Sequence, residues 1–434
     1  MPFPPVRPRP FSLAQSTDRF QPMKPLFHIS ALLILLFSIG VRSGDMPTPV
    51  DPTPVRTPNE IPIPDPPQLA AKGYLLVDHD SGRVLAKSNA DERLKPASLT
   101  KIMTAYVVFR ELAGGSLSLR DRALISERAW RTGGSKMFVE IGKQVSVEDL
   151  LKGMIIQSGN DASVALAEHI AGTEETFADL MNTHARRVGM KNSNFTNATG
   201  LPHKDHYTTA RDIALVTATS IREFPKYYAW YAVKEFTHNR IKQRNRNRLL
   251  WRDESVDGVK TGHTKSAGYC LVASAKRGNM RLTSVVMGTK GEEARAHASL
   301  ALLNYGFRFY ETHKLYAGGQ RIETLRIWMG EVEDLPVGPA TDVSVTIPRR
   351  TYDKLSAKLV KDPDISAPVV KGAVVGHISI ALEGKEVRRV PLVALRDVAE
   401  GGILQKGRDA VLMWFLGCSV GENRIFQSAQ YSAS

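Results

Sequence analysis

Arg93-Leu94-Lys95-Pro96-Ala97-Ser98-Leu99-Thr100-Lys101-Ile102-Met103-Thr104-Ala105-Tyr106-Val107-Val108-Phe109 runs from a charged turn into an unbroken apolar stretch. Pro96 suits a helix entry, where its missing N–H costs nothing. No further Gly or Pro follows until Gly114, so the segment predicts a helix that buries Ile102 to Phe109. Positions i and i+3 share a helix face, which sets Ser98 and Lys101 side by side. A serine hydroxyl attacks well only when a base takes its proton. A lysine serves as that base only when neutral, which needs burial or a neighbouring cation. Ser-x-x-Lys alone is a weak signal, because both residues are common.

The chain around it has 434 residues, enough for a large domain and a smaller one. Apolar content of 42% and charged content of 24% are ordinary for a globular protein. A formal charge of +14 favours anionic surroundings, and no nucleic-acid motif accompanies it. Two cysteines, Cys270 and Cys418, make neither a disulfide framework nor a cysteine zinc site. Cys270 lies in an apolar strand-like run and reads as a core residue.

Five segments follow from the texture of the chain. Residues 1–45 hold a Pro/Arg-rich extension, then Met23-Lys24-Pro25 ahead of the apolar run Leu32 to Ile39. That is a charged region followed by a short hydrophobic one, the pattern of an export signal, with Met23 as an alternative start. An uncleaved anchor is the other reading, although the run is short for a span. Residues 46–68 are a Pro-rich linker. Residues 69–315 open with a hairpin, Gly73–Asp78 and Arg83–Ala86 about Asp80-Ser81-Gly82. Helical stretches follow, and strands return at Gly258–Gly262, Tyr269–Ala275 and Arg281–Met287 before a helix from Ala294 to Phe309. Strands at both ends with helices between predict a sheet closed by the two chain ends around a helical insertion. Residues 316–400 read as a small all-β domain, with strands near Arg321–Trp328, Asp342–Ile347, Val374–Leu382 and Glu386–Leu392. Residues 401–434 carry an imperfectly amphipathic helix over Ile403–Leu416 and a polar tail.

Ser158-Gly159-Asn160 lies at a helix break and Lys260-Thr261-Gly262 on a strand. The order Ser-x-x-Lys, Ser-x-Asn, Lys-Thr-Gly is shared by serine penicillin-binding enzymes and class A β-lactamases. Around these motifs stand Lys95-Pro96-Ala97, Asp161-Ala162, Tyr207-Thr208-Thr209-Ala210, Asn245-Arg246-Asn247, Val256-Asp257-Gly258-Val259, His263-Thr264 and Leu303-Asn304-Tyr305-Gly306-Phe307-Arg308. With them, the chain from Ala71 to Leu395 closely resembles the low-molecular-mass penicillin-binding proteins of the D-alanyl-D-alanine carboxypeptidase type, peptidase family S11.

The resemblance implies an α/β catalytic domain of the penicillin-binding and serine β-lactamase type. Its central antiparallel sheet has helices on both faces and a helical lobe, and a small all-β domain and a membrane-binding helix follow. It implies release of the terminal D-alanine from peptidoglycan stem pentapeptides through an acyl-enzyme, with no metal or other cofactor. Ser98 is then the nucleophile, Lys101 the base held neutral by burial and by Lys260, and Ser158 a proton relay. Asn160, Lys260, Thr261, Gly262 and His263 form the substrate-binding set. Lys260 and Thr261 take the terminal carboxylate, a preference that separates a carboxypeptidase from an endopeptidase, and the N–H groups of Ser98 and His263 form an oxyanion hole. Implied partners are the stem pentapeptide, β-lactams that mimic it, and an anionic membrane surface under the C-terminal helix. The implied location is the outer face of the cytoplasmic membrane.

Other conspicuous residues are given plainer roles. The His263 side chain reads as structural, and His203 and His206 flank a single carboxylate in a poor arrangement for a metal. Arg246 and Arg295 lend positive potential to a substrate carboxylate or serve as surface ion-pair residues. Tyr227-Tyr228-Ala229-Trp230-Tyr231 packs a core. Two rival functions share the motifs. A class A-type β-lactamase requires a glutamate-activated water, and no Glu-x-x-Leu-Asn-like segment lies between the second and third motifs. A non-catalytic wall-binding module has no need of a complete proton-transfer set.

Overall fold

Tyr74, Leu75 and Leu76 are buried, and they belong to two different cores. Successive strand residues point to opposite faces, so Leu75 packs with one set of helices while Tyr74 and Leu76 pack with another. The computed structural model describes residues 62–414, all within one unit, Thr57–Ser434. The expected leader over residues 1–45 and the end of the C-terminal run beyond Trp414 lie outside the described residues.

The central sheet has five strands in the order Val84–Ser88, Gly73–Asp78, Met280–Thr289, Gly268–Arg277, Val256–Thr264. Every pairing is antiparallel, and Gly73 stands opposite Met287. The first strand therefore pairs with the last, which closes the chain ends into one sheet. Val272, Val285 and Met287 face the helices Thr100–Gly114 and Ala210–Glu223. Leu271, Leu282 and Val286 face the helix Glu292–Phe309 through Leu302 and Leu303. Each such buried aliphatic side chain contributes about 1.5–3 kcal/mol. The insertion between the sheet's two halves forms the helical lobe, including Asn160–Ala171 and Glu174–Val188.

From Tyr310 the chain enters a second, all-β region. A five-stranded sheet runs Glu323–Arg326, Asp334–Gly338, Lys385–Ala394, Val374–Leu382, Leu355–Lys361. Beside it Tyr310–Tyr316 pairs with Val343–Pro348. Ile347, Ile378, Ile380 and Leu392 centre its own core. The hairpin turn of the first sheet joins the two regions. Buried Asp78 accepts a hydrogen bond from Thr312 Oγ1 at 2.7 Å, and Arg83 Nη1 donates to Thr346 O at 2.6 Å. Residues 403–414 are helical, with Asp409 buried against the β region and Ile403 and Leu404 about 90% exposed.

Some expected boundaries shift. Ala97–Leu99 is a 3₁₀ turn, and the α-helix begins only at Thr100. The helix ahead of Ser158 is α-helical over Val147–Lys152 and then widens to a π turn over Gly153–Gln157. Ser146 caps its start by accepting the Asp149 N–H. The hairpin of Glu235–His238 with Ile241–Arg244 and the strands Asp334–Gly338 and Leu355–Lys361 have no counterpart in the sequence reading.

Candidate active site

Ala97 has φ of 47°, a left-handed conformation uncommon for a residue with a Cβ. It turns the chain sharply into the 3₁₀ turn that carries Ser98. Side chains three apart eclipse in such a turn, which brings Lys101 Nζ to 3.1 Å from Ser98 Oγ. Lys101 is 1% exposed. Its Nζ also lies 2.6 Å from Asn160 Oδ1 and 2.7 Å from Thr199 O. Burial lowers its pKa to about 7, with Arg246 adding to the fall while Asp161 and Glu174 oppose it. A neutral amine has two N–H bonds and one lone pair. Two carbonyl acceptors take the N–H bonds, and the lone pair is left facing the Ser98 hydroxyl.

The π turn delivers Ser158 in a left-handed conformation, φ 68°. The Ser158 Oγ is buried and has no hydrogen-bond partner among the described residues. An orphan buried hydroxyl is uncommon and calls for an explanation. Asn160 opens the next helix, donates from Nδ2 to Gly133 O at 2.6 Å and receives Lys101 on Oδ1. Asp161, also buried, accepts backbone N–H bonds from Met137, Phe138, Val139 and Ala162. A carboxylate with so many donors fixes the 133–139 loop over the cleft.

The strand Val256–Thr264 forms the opposite wall. A Cβ on Gly262 would stand 3.2 Å from Ser98 N and 3.0 Å from Pro96 O, so glycine lets the strand pass close behind Ser98. Lys260 and Thr261 are buried. Lys260 was the cation expected to depress Lys101. Instead burial, then Lys101, Arg246 and Arg295, push Lys260 itself well below the ordinary lysine range. Arg246 also bears on Lys101 as a cation, and it makes no hydrogen bond or ion pair among the described residues. Arg295 is buried, donates to Gly262 O at 3.1 Å and lies 3.7 Å from Glu292. The His263 ring is exposed and stacks on Tyr269 at 4.0 Å, which supports a packing role for its side chain. Together Ser98, Ser158, Asn160, Thr261, Gly262, His263, Arg246 and Arg295 line a cleft of about 360 Å³.

Residues 61–291 match the family described as D-alanyl-D-alanine carboxypeptidase, peptidase S11. The chain is 45% identical to the D-alanyl-D-alanine carboxypeptidase DacC of Escherichia coli over 80% of its own length and 89% of the relative's. The chain belongs to the S11 family of D-alanyl-D-alanine carboxypeptidases. Residues 310–400 match the C-terminal domain of penicillin-binding protein 5. In keeping with both matches, the fold aligns with penicillin-binding protein 5 from Haemophilus influenzae at a TM-score of 0.74 and 44% identity, covering 77% of this chain and 99% of that one. It also aligns with penicillin-binding protein D2 from Listeria monocytogenes in its ampicillin-bound form, at 0.51 and 30% identity over 55% of this chain and 98% of the other.

Within this S11 site, sequence reasoning gave no role to three residues. Thr199 and Gly200 sit in a loop remote in sequence from Lys101. Asp161 was part of the motif, but its loop contacts are tertiary. His206 is a structural residue, with Nε2 2.8 Å from Thr100 Oγ1 and burial lowering its pKa to about 4. Burial likewise raises the Cys270 thiol to about 11, the value of an inert core cysteine. Tyr228 and Tyr231 are core residues. Among the described residues no group of three or more His, Cys, Asp or Glu is placed to hold a metal.

Proposed function

We propose that this chain is a serine D-alanyl-D-alanine carboxypeptidase that removes the terminal D-alanine from peptidoglycan stem pentapeptides and is acylated by penicillins. The observation that carries the chemistry is the buried Lys101 amine, its Nζ 3.1 Å from Ser98 Oγ. Lys101 removes the hydroxyl proton as Ser98 attacks the penultimate carbonyl. The backbone N–H groups of Ser98 and His263 hold the developing oxyanion. Ser158, its hydroxyl uncommitted, passes a proton to the leaving amine. Asn160 holds both Lys101 and the substrate amide. Arg246 and Arg295 make one end of the cleft cationic, and Thr261 adds a hydroxyl donor there, which suits the free carboxylate of a terminal residue. Water then hydrolyses the ester on Ser98.

Incubating the purified protein with a pentapeptide ending in D-Ala-D-Ala and assaying free D-alanine tests this reading. Ser98→Ala is expected to abolish both D-alanine release and the covalent penicillin adduct seen by mass spectrometry. Normal labelling of that variant would overturn the assignment. Rapid turnover of bound penicillin would favour the β-lactamase reading instead, and a stable adduct without peptide hydrolysis the non-catalytic one.

The same reading places the mature protein outside the cytoplasmic membrane, held peripherally. The run Leu32 to Ile39 supports export, and the exposed apolar residues of 403–414 support contact with an anionic lipid surface. No described helix is long and apolar enough to cross a membrane.

A further inference from the structure

Glu174 is a buried carboxylate, 7% exposed, that the acylation chemistry leaves without a part. It opens the helix Glu174–Val188, just after the N-cap Thr173. The unpaired N–H groups of a helix's first turn favour an acid there, and a solvent-facing side chain would meet that preference. The Glu174 side chain turns inward instead. Its Oε1 accepts the Ala198 N–H at 3.0 Å, and its Oε2 accepts Arg128 Nη2 at 2.8 Å. A buried charge is costly unless it is paired and hydrogen-bonded, and here two residues far apart in sequence meet both conditions.

Ala198 adjoins Thr199, whose carbonyl receives an N–H of Lys101. Three side chains hold the segment around them. Ala198 O accepts Thr104 Oγ1 at 2.8 Å, and Asn197 Oδ1 accepts the N–H groups of Thr199 and Gly200 at 3.2 and 2.7 Å. Thr104 stands on the same helix as Lys101, and Asn197 belongs to the loop itself. Glu174 ties that loop to a third element, the helical lobe.

The carboxylate also brings charge toward the base. Glu174 and Asp161 favour the ammonium form of Lys101, and Arg246 opposes it. Lys260 on the strand Val256–Thr264 and His206 lie within electrostatic reach of the same amine. Arg128, on the helix Glu127–Arg131, is half-exposed and also pairs with Glu175 at 2.7 Å. The charge on Glu174 is therefore balanced from the lobe surface, by a group outside the lining of the cleft.

We propose that Glu174 is a positioning residue for acylation, holding the Thr199 carbonyl against Lys101 through Ala198, and that Arg128 balances the charge it brings toward the base. This inference rests on the reading of Lys101 as the base of Ser98 and adds two residues to it.

The test is stopped-flow acylation by penicillin from pH 5 to 9 in the wild type, Glu174→Ala, Glu174→Gln and Arg128→Gln. Glu174→Ala leaves the Ala198 N–H without its acceptor, and its rate on the alkaline plateau is expected to fall about tenfold or more, as for a displaced orienting group. Glu174→Gln keeps an amide oxygen for that N–H and should restore most of the plateau. Its acid limb should move to lower pH by roughly half a unit, because a charge favouring the ammonium is gone. Arg128→Gln leaves the carboxylate unbalanced and should move the limb to higher pH by a similar amount. Loss of stability alone does not shift two limbs in opposite directions, so this readout decides even where Glu174→Ala fails to fold. A wild-type plateau in Glu174→Ala, a Glu174→Gln variant as slow as Glu174→Ala, or limbs that do not part would overturn the proposal while leaving Lys101 as the base. Absence of an acid limb in the wild type would overturn Lys101 as the base, and the positioning role with it.

Discussion

Asn160 Oδ1 accepts a hydrogen bond from Lys101 Nζ at 2.6 Å, and this contact orients the amine whose remaining valence faces Ser98. It also makes the site's pH response predictable. With a Lys101 pKa near 7, brought down chiefly by burial, the base is neutral above that pH and protonated below it. Acylation by penicillin is therefore expected to rise with pH through about 7 and to fall roughly tenfold per unit on the acid side. Asn160→Asp sets a carboxylate against the amine, favours the ammonium form and moves this acid limb to higher pH. Stopped-flow acylation from pH 5 to 9 checks both; an unshifted limb in Asn160→Asp would show that Lys101 is not the titrating base.

Ser158 gives a cleaner separation of chemistry from folding. Its hydroxyl makes no hydrogen bond among the described residues, so removing it deletes no native contact. Ser158→Ala is expected to melt within about 2 °C of the wild type, in line with the small cost of losing a group without partners. Acylation and D-alanine release should fall by roughly a hundredfold or more, the usual contribution of a positioned proton carrier. A large fall in melting temperature with full activity would assign the hydroxyl a structural role.

How far the site was legible depended on whether its cause was local. The strand Gly73–Asp78 was bounded correctly, because turn residues flank it and its apolar run has no other use. Ser98 and Lys101 were paired by spacing alone, since any helical turn puts i and i+3 together. Whether that turn is α or 3₁₀ was not legible: Ala97 holds a left-handed φ with Gly200 and Gly262 close against it, and neither is near in sequence. The same holds for Thr199 O, an unmarked loop carbonyl that becomes an acceptor for Lys101 only through tertiary packing. The helix Glu174–Val188 did leave a signal, with Phe177, Met181 and Ala185 four apart behind an N-cap at Thr173. The burial of Lys260 was hidden for the same reason. Lys260 was read as a charge because lysine usually is one, but burial acts on it as it does on Lys101.

Gly200 provides a test of that hidden packing. A Cβ there would lie 1.9 Å from Ala97 O and 2.8 Å from Thr100 Oγ1, at a φ of +83°. Gly115 has a similar φ of +78°, in the left-handed region, with nothing within 4 Å of a Cβ. Gly115→Ala should therefore cost only the left-handed backbone, about 1–2 kcal/mol. Gly200→Ala adds a collision with the turn that carries Ser98 and should cost about 3 kcal/mol or more. It should also slow acylation, because Ala97 and Thr199 shift together. Denaturant melts of the two variants decide the matter; equal destabilisation would show that the contact is dispensable.

The helix at residues 403–414 presents its polar side to the β region and its apolar side outward. Buried Asp409 accepts the Met329 N–H at 2.8 Å, with Arg326 3.5 Å away, while Arg408 pairs with Glu333 and Lys406 with Glu400. Ile403, Leu404, Val411 and Trp414 are 90%, 91%, 55% and 65% exposed. A helix docked only on a neighbouring domain would bury those residues and expose the charges. The observed arrangement is the reverse and suits insertion of the apolar side at a lipid interface. Truncation after Gly402, in a chain lacking residues 1–45, is expected to leave D-alanine release unchanged. It should lower the melting temperature only slightly, since it uncovers the Met329 N–H and Arg326. Co-sedimentation with vesicles containing anionic lipid should be lost. The intact chain should bind these vesicles more weakly as salt screens its cationic surface. Equal sedimentation of the truncated and intact chains would locate membrane contact elsewhere in the protein and rule out the helix as the anchor.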